Sequence, residues 1–405
     1  MTATVATSKT AGTQINLAQW TEGMKRSLLR QMLAVVSRPG ILSFAGGLPA
    51  PELFPSEAYA EASRAVLTDG AHSLQYGPPF EPLKAHIREL MALRGVEVSE
   101  AEIFITTGAQ QGLNVATRLL LDANGQVMLE KLVYTGIQQV VAPYQPQLLT
   151  VSSDLEYGID VNGVAEHLVA GAEPAFLYVI PEAHNPLGVS LSLERQQRLL
   201  ELARLYRMPI LEDDPYGLLQ YDDSAVTPLR ALDDEWVIYV GSFSKILAPA
   251  LRLGWMIVPE PLQSHLTVAK EALDLETSGF IQRSVAALLD TGHFPTHLAQ
   301  LRRAYRARRD AMLTALSQHF PATARWTRPS GGMFIWVELP RQVDTMALLW
   351  RAVEEINVAY IPGTAFAIEG DRTAKHCLRL NFSNASEEAI TRGIAALGAL
   401  LRTVC

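Results

Sequence analysis

The stretch Tyr239-Val-Gly-Ser-Phe-Ser-Lys-Ile-Leu-Ala-Pro-Ala-Leu-Arg-Leu-Gly-Trp255 sets a lysine between small hydroxylic residues at the end of an apolar run. The run at 236–240 predicts a buried strand, so Lys245 follows the carboxyl end of that strand. Ligands bind at this edge of open α/β sheets. Crowding by Arg252 and partial withdrawal from water would lower the pKa of Lys245 and make it an amine nucleophile. The alternative is a surface lysine after a buried strand.

The residues around Lys245 suit a phosphate group. Ser242 and Ser244 supply hydroxyl donors, and Arg252 supplies a forked cation that grips phosphate oxygens. A phosphate beside a lysine capable of Schiff-base chemistry indicates pyridoxal 5′-phosphate as the cofactor. Because Ser-x-Ser-Lys alone is a common pattern, the rest of the chain has to decide the question.

Composition sets the broad class. The chain has 405 residues, 48% of them hydrophobic, and a net charge of -8, which argues against a nucleic-acid partner. Its two cysteines, Cys377 and Cys405, are too few for a disulfide framework or a zinc site, so a reducing cytoplasm is expected. No window approaches ~18 apolar residues, and the first ten residues lack a signal-peptide core, so we expect neither a membrane span nor export.

From residue 102 short apolar runs alternate with helical patterns. Seven strands interleaved with helices predict an α/β fold with a mostly parallel sheet covered on both faces; the strands are expected at 103–107, 126–130, 147–151, 175–181, 209–213, 236–242 and 253–258. Past about residue 292 a long helix and mixed elements predict a second, smaller α+β domain. The expected organisation is a flexible terminus at 1–19, an arm or lid at 20–68 that contributes to the small domain, a large domain at 69–292 and the small domain at 293–405.

Polar residues follow several of these strands and should converge on one crevice. Gly108, Ala109 and Gln110 turn from a strand into a helix, whose free N–H groups and positive dipole end form an anion site suited to the cofactor phosphate. A simple strand-to-helix turn would give the same pattern. Asn185, within the turn Asn-Pro-Leu-Gly188, could donate to the phenolic oxygen of the cofactor, although such a sequence also marks an ordinary turn.

The segment Leu211-Glu-Asp-Asp-Pro-Tyr216 places three carboxylates where an apolar strand ends, which is costly unless one has a positive partner. A protonated pyridine nitrogen is such a partner, and a carboxylate there keeps the ring working as an electron sink. We assign Asp213 to this role, with Asp214 as the alternative, and Tyr216 to the phenolic oxygen. Metal binding competes as an explanation, but no histidine neighbours the cluster.

Substrate contacts are predicted in two other segments. Arg379 lies on an apolar strand and needs an anion, which is either a substrate carboxylate or an acid of its own domain. Gly47 belongs to a Gly-Gly pair that allows close approach of the backbone. Ser27 and Arg30 share one face of a predicted helix at 24–36, a candidate lid whose arginine either pairs with the distal carboxylate of an acidic substrate or is a solvated charge.

Together these motifs resemble the fold-type I pyridoxal-phosphate aminotransferases of class I/II, most of all the branch with 2-aminoadipate and kynurenine aminotransferases. The resemblance runs from about Trp20 to the end and rests on Ser-Phe-Ser-Lys, Glu-Asp-Asp-Pro-Tyr, Asn-Pro-Leu-Gly and Arg-Leu-Asn-Phe. It implies Lys245 as the lysine that bonds to the cofactor, Tyr134 stacked on the ring, and Tyr76 reaching the phosphate from the other subunit of a homodimer. The activity it implies is transfer of an amino group from an L-amino acid to a 2-oxo acid by a ping-pong mechanism.

Other functions fit much of the same pattern. A β-lyase or an aminocyclopropane-type lyase would use nearly the same site, and a ligand-sensing domain would bind the cofactor without turnover. Regulators in this branch carry a winged-helix module in front, for which the sequence leaves no room before Trp20. The chain also departs from the family: Ala109 lacks the usual hydroxyl, and His184 and Leu187 stand where Gln and Thr are usual, which would alter the edge of the pocket.

Overall fold

The computed structural model describes residues 16–18, 20–21, 38–222, 226–368 and 371–404. The predicted helix at 24–36, with Ser27 and Arg30, lies outside these residues. None of the described helices is both long and apolar enough to cross a membrane.

The strands, in chain order, are β1 Leu42–Ser43, β2 Ile103–Thr106, β3 Gln126–Glu130, β4 Gln147–Val151, β5 Ser153–Asp154, β6 Gly158–Ile159, β7 Pro174–Val179, β8 Ile210–Asp214, β9 Val237–Ser242, β10 Gly254–Ile257, β11 Arg325–Trp326, β12 Phe334–Glu338, β13 Val358–Ala359, β14 Ile361–Pro362 and β15 Cys377–Asn381. The α-helices are α1 Ser56–Thr68, α2 Glu81–Ala92, α3 Ala109–Leu120, α4 Thr135–Val141, α5 Val161–Val169, α6 Leu193–Tyr206, α7 Leu229–Leu232, α8 Glu260–Asp274, α9 Gly279–Asp290, α10 Phe294–His319, α11 Thr345–Ile356 and α12 Glu387–Leu401.

The large sheet has the strand order β2-β10-β9-β8-β7-β3-β4 among the described residues. All its neighbouring pairs run parallel except those that β10 makes with β2 and β9. This confirms the predicted α/β fold with seven mostly parallel strands. Parallel strands direct their carboxyl ends to one edge of the sheet, so the loops after β7, β8 and β9 lie side by side.

Both faces of this sheet are covered by helices, as near-continuous apolar strands require. On one face Val164 of α5 and Leu199 of α6 join a buried cluster with Met128 and Ile210. On the other face Leu113 of α3 belongs to the main core. Burial on both faces explains why β7, β8 and β9 show no alternation of apolar and polar residues until their carboxyl ends.

The C-terminal part folds around a second, antiparallel sheet of order β11-β12-β15-β14. Arg379 lies on the inner strand β15, opposite Trp336 on one side and Ile361 on the other. Strand β1 pairs with β13 of this part, whereas α1 packs against α9 of the large domain. The described residues 42–68 therefore contact both parts, and the domain boundaries given above stay a prediction.

Candidate active site

A cavity of about 280 Å³ opens where the carboxyl ends of the large-sheet strands face the C-terminal sheet. Loops that follow β2, β7, β8 and β9 all reach it, as the position of ligand sites in open α/β sheets predicts. Its lining residues are Gly47, Ala109, Gln110, Tyr134, Ile180, Asn185, Asp213, Pro215, Tyr216, Ser242, Ser244, Lys245, Pro249, Arg252, Phe334 and Arg379. The structure thus brings most of the predicted site residues together.

Lys245 projects into the cavity just past the end of β9. Its Nζ donates a hydrogen bond of 2.8 Å to the backbone oxygen of Gly47. Withdrawal from water, followed by the positive charges of Arg379 and Arg252, lowers the pKa of Lys245 to about 8. A lysine with this pKa is partly neutral near physiological pH, so its amine can act as a nucleophile or a base.

Asp213 is buried at the end of β8, and its two oxygens differ. Oδ2 accepts a 2.7 Å hydrogen bond from the Tyr178 hydroxyl, whereas Oδ1 has no hydrogen-bond partner among the described residues. Burial, opposed by this hydrogen bond and aided by the charge of Asp214, raises the pKa of Asp213 to about 7. An unsatisfied buried oxygen at a cavity wall is positioned to receive a donor from a ligand.

Asp214 does not line this cavity. Its Oδ1 accepts from the backbone N–H of Gly217 at 2.6 Å, and its Oδ2 accepts from the Tyr239 hydroxyl at 2.9 Å. Successive side chains of a strand point to opposite faces, so only one of two adjacent aspartates can face the cavity. The geometry favours Asp213 over Asp214 as the group that meets a ligand.

The opposite end of the cavity carries the groups predicted to bind phosphate. Helix α3 begins at Ala109, after Gly108 with φ 82, so its free N–H groups point toward the cavity. Arg252 lies directly over this turn, and a Cβ added to Gly108 would come within 2.6 Å of its Nη2 atom. Ser242 and Ser244 line the same end. Only glycine permits both the backbone angle and the close approach of the arginine.

Gln110 and Tyr134 hold each other beside this anion site. The Gln110 amide donates to the Gly136 oxygen at 3.0 Å and accepts from the Tyr134 hydroxyl at 3.1 Å. Burial raises the pKa of Tyr134 to about 12, so the phenol stays protonated. Because the Gln110 side chain is already engaged, its backbone N–H is the better candidate for contact with a phosphate.

Arg379 and Asn185 form the wall next to the C-terminal sheet. Arg379 is only 2% exposed, and its Nη atoms donate at 2.7 Å to Asn185 Oδ1 and to the Ala45 oxygen. Its guanidinium also lies over the rings of Phe334 and Phe366, at 4.0 and 4.6 Å from their centroids. Burial lowers the pKa of Arg379 to about 9.

No acidic side chain among the described residues forms an ion pair with Arg379, and its Nε has no hydrogen-bond partner. The acid of its own domain, the alternative considered from the sequence, is therefore not seen in the described part of the chain. A buried cation held only by neutral groups favours an anionic ligand.

Three further predicted residues differ in where they lie. Gly47 lines the cavity, and a Cβ there would approach the Phe334 ring to 3.1 Å. Tyr216 is buried and meets the same ring edge-on at 5.8 Å between centroids. Tyr76, by contrast, is 87% exposed and does not line the cavity of the single chain.

Sequence reasoning missed the Tyr178 hydroxyl and the two phenylalanines beside Arg379. Tyr178 stands in the apolar run of β7, where a buried tyrosine usually indicates packing. The only available signal was that a buried hydroxyl needs a partner. His184 and Leu187 are both buried and do not line the cavity, and the Leu187 N–H donates to His184 Nδ1 at 3.3 Å. Their expected effect on the pocket edge stays a prediction.

Comparison with known proteins agrees with this geometry. The family model for aminotransferases of class I and II matches residues 45–397. The chain is 40% identical over 387 residues to the 2-aminoadipate transaminase of Thermus thermophilus, covering 94% of each, and 38% identical over 389 residues to aromatic-amino-acid aminotransferase 1 of Thermococcus litoralis, covering 94% of this chain and 92% of the relative.

Among solved structures, the α-aminoadipate aminotransferase LysN of Thermus thermophilus, in complex with N-(5′-phosphopyridoxyl)-L-leucine, superposes with a TM-score of 0.87 at 37% identity, covering 96% of this chain and 97% of LysN. The chain belongs to the class I and II aminotransferase family. It is a pyridoxal-phosphate-dependent aminotransferase of fold type I, which confirms the predicted family, fold, enzyme class and cofactor.

The chemistry of the residues that line the cavity also fits this cofactor. Asp213 Oδ1, buried without a partner, suits a protonated ring nitrogen, and Lys245 supplies an amine of lowered pKa. The turn at Gly108 beneath Arg252 suits a phosphate, and Ala109, which lacks a hydroxyl, leaves that contact to the backbone and the serines. The donors, the cation and the carboxylate are therefore arranged for the two ends of one elongated ligand.

Proposed function

We propose that this aminotransferase takes its amino group from an L-amino acid of the 2-aminoadipate, glutamate, leucine or aromatic type and gives it to a 2-oxo acid such as 2-oxoglutarate. The observation that carries the proposal is the buried Arg379, a cation without an acidic partner among the described residues, facing Lys245 across the same cavity. An α-carboxylate satisfies that cation and brings the substrate α-carbon toward Lys245. The names of the relatives support both an acidic and an apolar donor.

We further propose the role of each group that holds the cofactor. Asp213 pairs with the ring nitrogen, while Asn185 and Tyr216 bond the phenolic oxygen and Tyr134 lies against the ring. The phosphate is bound by the N–H groups of α3 and by the side chains at its end of the cavity, namely Ser242, Ser244 and Arg252. When bound, pyridoxal phosphate supplies a carbonyl carbon and an electron-withdrawing ring.

Lys245 acts in two ways in this proposal. Its Nζ would form the covalent bond that holds the cofactor, and as a free amine it would take the proton from the substrate α-carbon. Partial neutrality at physiological pH suits both roles, since an amine must be unprotonated either to bond to a carbonyl carbon or to accept a proton. Burial, followed by the positive charges of Arg379 and Arg252, maintains that state by lowering the pKa of Lys245.

Substrate orientation is assigned to Arg379, Asn185 and Gly47. Arg379 grips the carboxylate, and Asn185 Oδ1 holds the guanidinium in place. The Gly47 oxygen, which accepts from Lys245 Nζ, keeps the amine directed into the cavity. Ser27 and Arg30 remain predicted contacts for the distal end of an acidic substrate.

We also propose a homodimer in the cytoplasm. On the loop before Gly77, Tyr76 and Leu74 are 87% and 69% exposed, so two neighbouring apolar side chains lie together on the surface, which fits burial by a second copy. In that dimer Tyr76 contacts the phosphate in the partner's cavity. The cytoplasmic assignment is supported by the low cysteine content.

One experiment tests the reaction type and the donor class together. Purified protein loaded with pyridoxal phosphate is given a panel of amino donors, with and without 2-oxoglutarate, and product formation is measured. An aminotransferase stops after one turnover when the acceptor is omitted, whereas a lyase continues. Cofactor binding without turnover on any donor would favour a ligand-sensing domain and contradict the proposal.

A further inference from the structure

A buried polar cluster lies behind the wall of the active-site cavity, around Arg94. This residue follows α2 and none of the roles above includes it. Its side chain is 6% exposed, as buried as a core residue, although it carries a full charge. A buried charge is destabilising unless it has several polar partners. The partners of Arg94 come from two of the loops that build the cavity.

The first partner is Glu182, in the loop after β7. Arg94 Nη2 is paired with Glu182 Oε2 in a close contact, and Nη1 lies 3.5 Å from Oε1. Gln220 also donates to Glu182 Oε1. Asn185, the proposed cofactor and substrate ligand, lies three residues further along this loop. The arginine therefore fixes the base of the segment that carries Asn185.

The second set of partners belongs to the loop after β8. Arg94 Nη1 donates to the Gly217 oxygen at 2.8 Å, and Nη2 lies 3.5 Å from Asp214 Oδ2. Tyr216 stands between these two contacts. A Cβ added to Gly217 would come within 2.4 Å of Arg94 Nη2, so the loop lies directly against the guanidinium.

We propose that Arg94 is a positioning residue, which ties the loop of Asn185 to the loop of Tyr216 and so sets the spacing of the two groups assigned to the phenolic oxygen of the cofactor. The inference rests on the roles proposed for these two residues. A guanidinium suits the task because its rigid fork reaches two loops at once, whereas a lysine offers a single point of charge.

Another buried arginine provides a matched control. Arg230 is 4% exposed, and it donates to the Asp234 and Val237 oxygens and pairs with Glu102 at 3.1 Å. These contacts lie at the amino end of β9, away from the cavity. Loss of Arg230 should reduce stability by a comparable amount without moving a cofactor ligand.

The test compares Arg94→Met, Arg94→Lys, the double variant Arg94→Met with Glu182→Gln, and Arg230→Met. Three properties are measured: the melting temperature of the cofactor-free protein, the visible absorbance and circular dichroism of the bound cofactor, and kcat and KM separately. Arg94→Met leaves Glu182 buried without its cation, so its melting temperature should fall markedly. Glu182→Gln in the double variant removes that unpaired charge and should recover most of the loss.

The expected outcome is that the double variant still shows an altered cofactor dichroism and a kcat lowered on the order of 10-fold or more, since small displacements of positioning groups are costly. Arg94→Lys should keep most of the stability yet show the same spectral change. If the methionine variants do not fold, Arg94→Lys alone still tests the inference. Arg230→Met should lose stability with an unchanged spectrum.

A double variant or an Arg94→Lys variant with wild-type dichroism and kcat would overturn the inference and leave Arg94 a residue of stability alone. The spectral comparison is independent of the donor panel. If no donor is turned over by the wild type, the proposed function fails, while the effect of Arg94 on the bound cofactor can still be judged.

Discussion

Replacement of Arg379 by lysine tests the substrate orientation most directly. The guanidinium has five N–H groups, of which two are donated to Asn185 and Ala45, so three remain for a ligand. A carboxylate uses two of them. Lysine at this position keeps one charged hydrogen bond to the carboxylate and loses the other. The lost hydrogen bond is worth about 1.5–3 kcal/mol. The expected loss in kcat/KM is therefore about 10- to 150-fold.

The assay is a single-turnover measurement of the cofactor absorbance with two donors that share a side chain, one an amino acid and the other the amine that lacks its carboxylate. Wild-type protein should prefer the amino acid strongly, and Arg379→Lys should lose rate with the amino acid while nearly keeping its rate with the amine. An equal loss with both donors would refute the assignment, because the arginine would then act through Asn185 or through the fold.

Lys245→Ala should abolish turnover and the cofactor that borohydride fixes to the chain; an active variant would remove Lys245 from the mechanism. Lys245→Met should raise the melting temperature of the cofactor-free protein near pH 7, because a pKa of about 8 against the ordinary 10.5 costs the folded state up to about 3 kcal/mol; this gain should be full below pH 8 and vanish as the pH rises toward 10.5, and a gain independent of pH would contradict it. Asp213→Asn should retain cofactor but slow proton abstraction by on the order of 100-fold or more, whereas Asp214→Asn should mainly lower stability; the reverse pattern would exchange their roles. Co-refolding Tyr76→Ala with Lys245→Ala should restore about one quarter of wild-type activity, since half of the dimers are then mixed and each has one intact site of two; no recovery would argue against the contribution of Tyr76 across the dimer.

The fold of the large domain was predictable because its strands are buried on both faces. Each predicted strand from 103 to 258 lies within a residue or two of an observed one, since an apolar run bounded by turn residues can hardly be placed elsewhere. The functional role of the polar residues at the ends of these runs was also predictable. A charge such as Asp213 or Lys245, next to a buried strand, requires a partner that the local sequence does not provide.

What the sequence could not provide were contacts between segments distant along the chain. Tyr178 reaches Asp213 from a neighbouring strand, and Arg94 reaches Gly217 across 123 residues. Neither has a local pattern that distinguishes it from ordinary core or surface positions. The sequence also did not determine which aspartate side chain faces the cavity. The choice between Asp213 and Asp214 depends on the register of β8, and a shift of one residue exchanges their faces.

The strand order of the large sheet also bears on how the protein folds during its synthesis. Among the described residues, strand β2 has a single neighbour in this sheet, β10, which follows it in the chain by about 150 residues. As the chain emerges from the ribosome, β3, β4, β7, β8 and β9 can assemble before β10 is made, whereas β2 has no strand to pair with until Ile257 has appeared. A Cβ added to Gly254 at the start of β10 would come within 3.0 Å of the Ala109 nitrogen, so the turn at Gly108 rests on this strand. We therefore expect the anion site at the start of α3 to be completed late in synthesis.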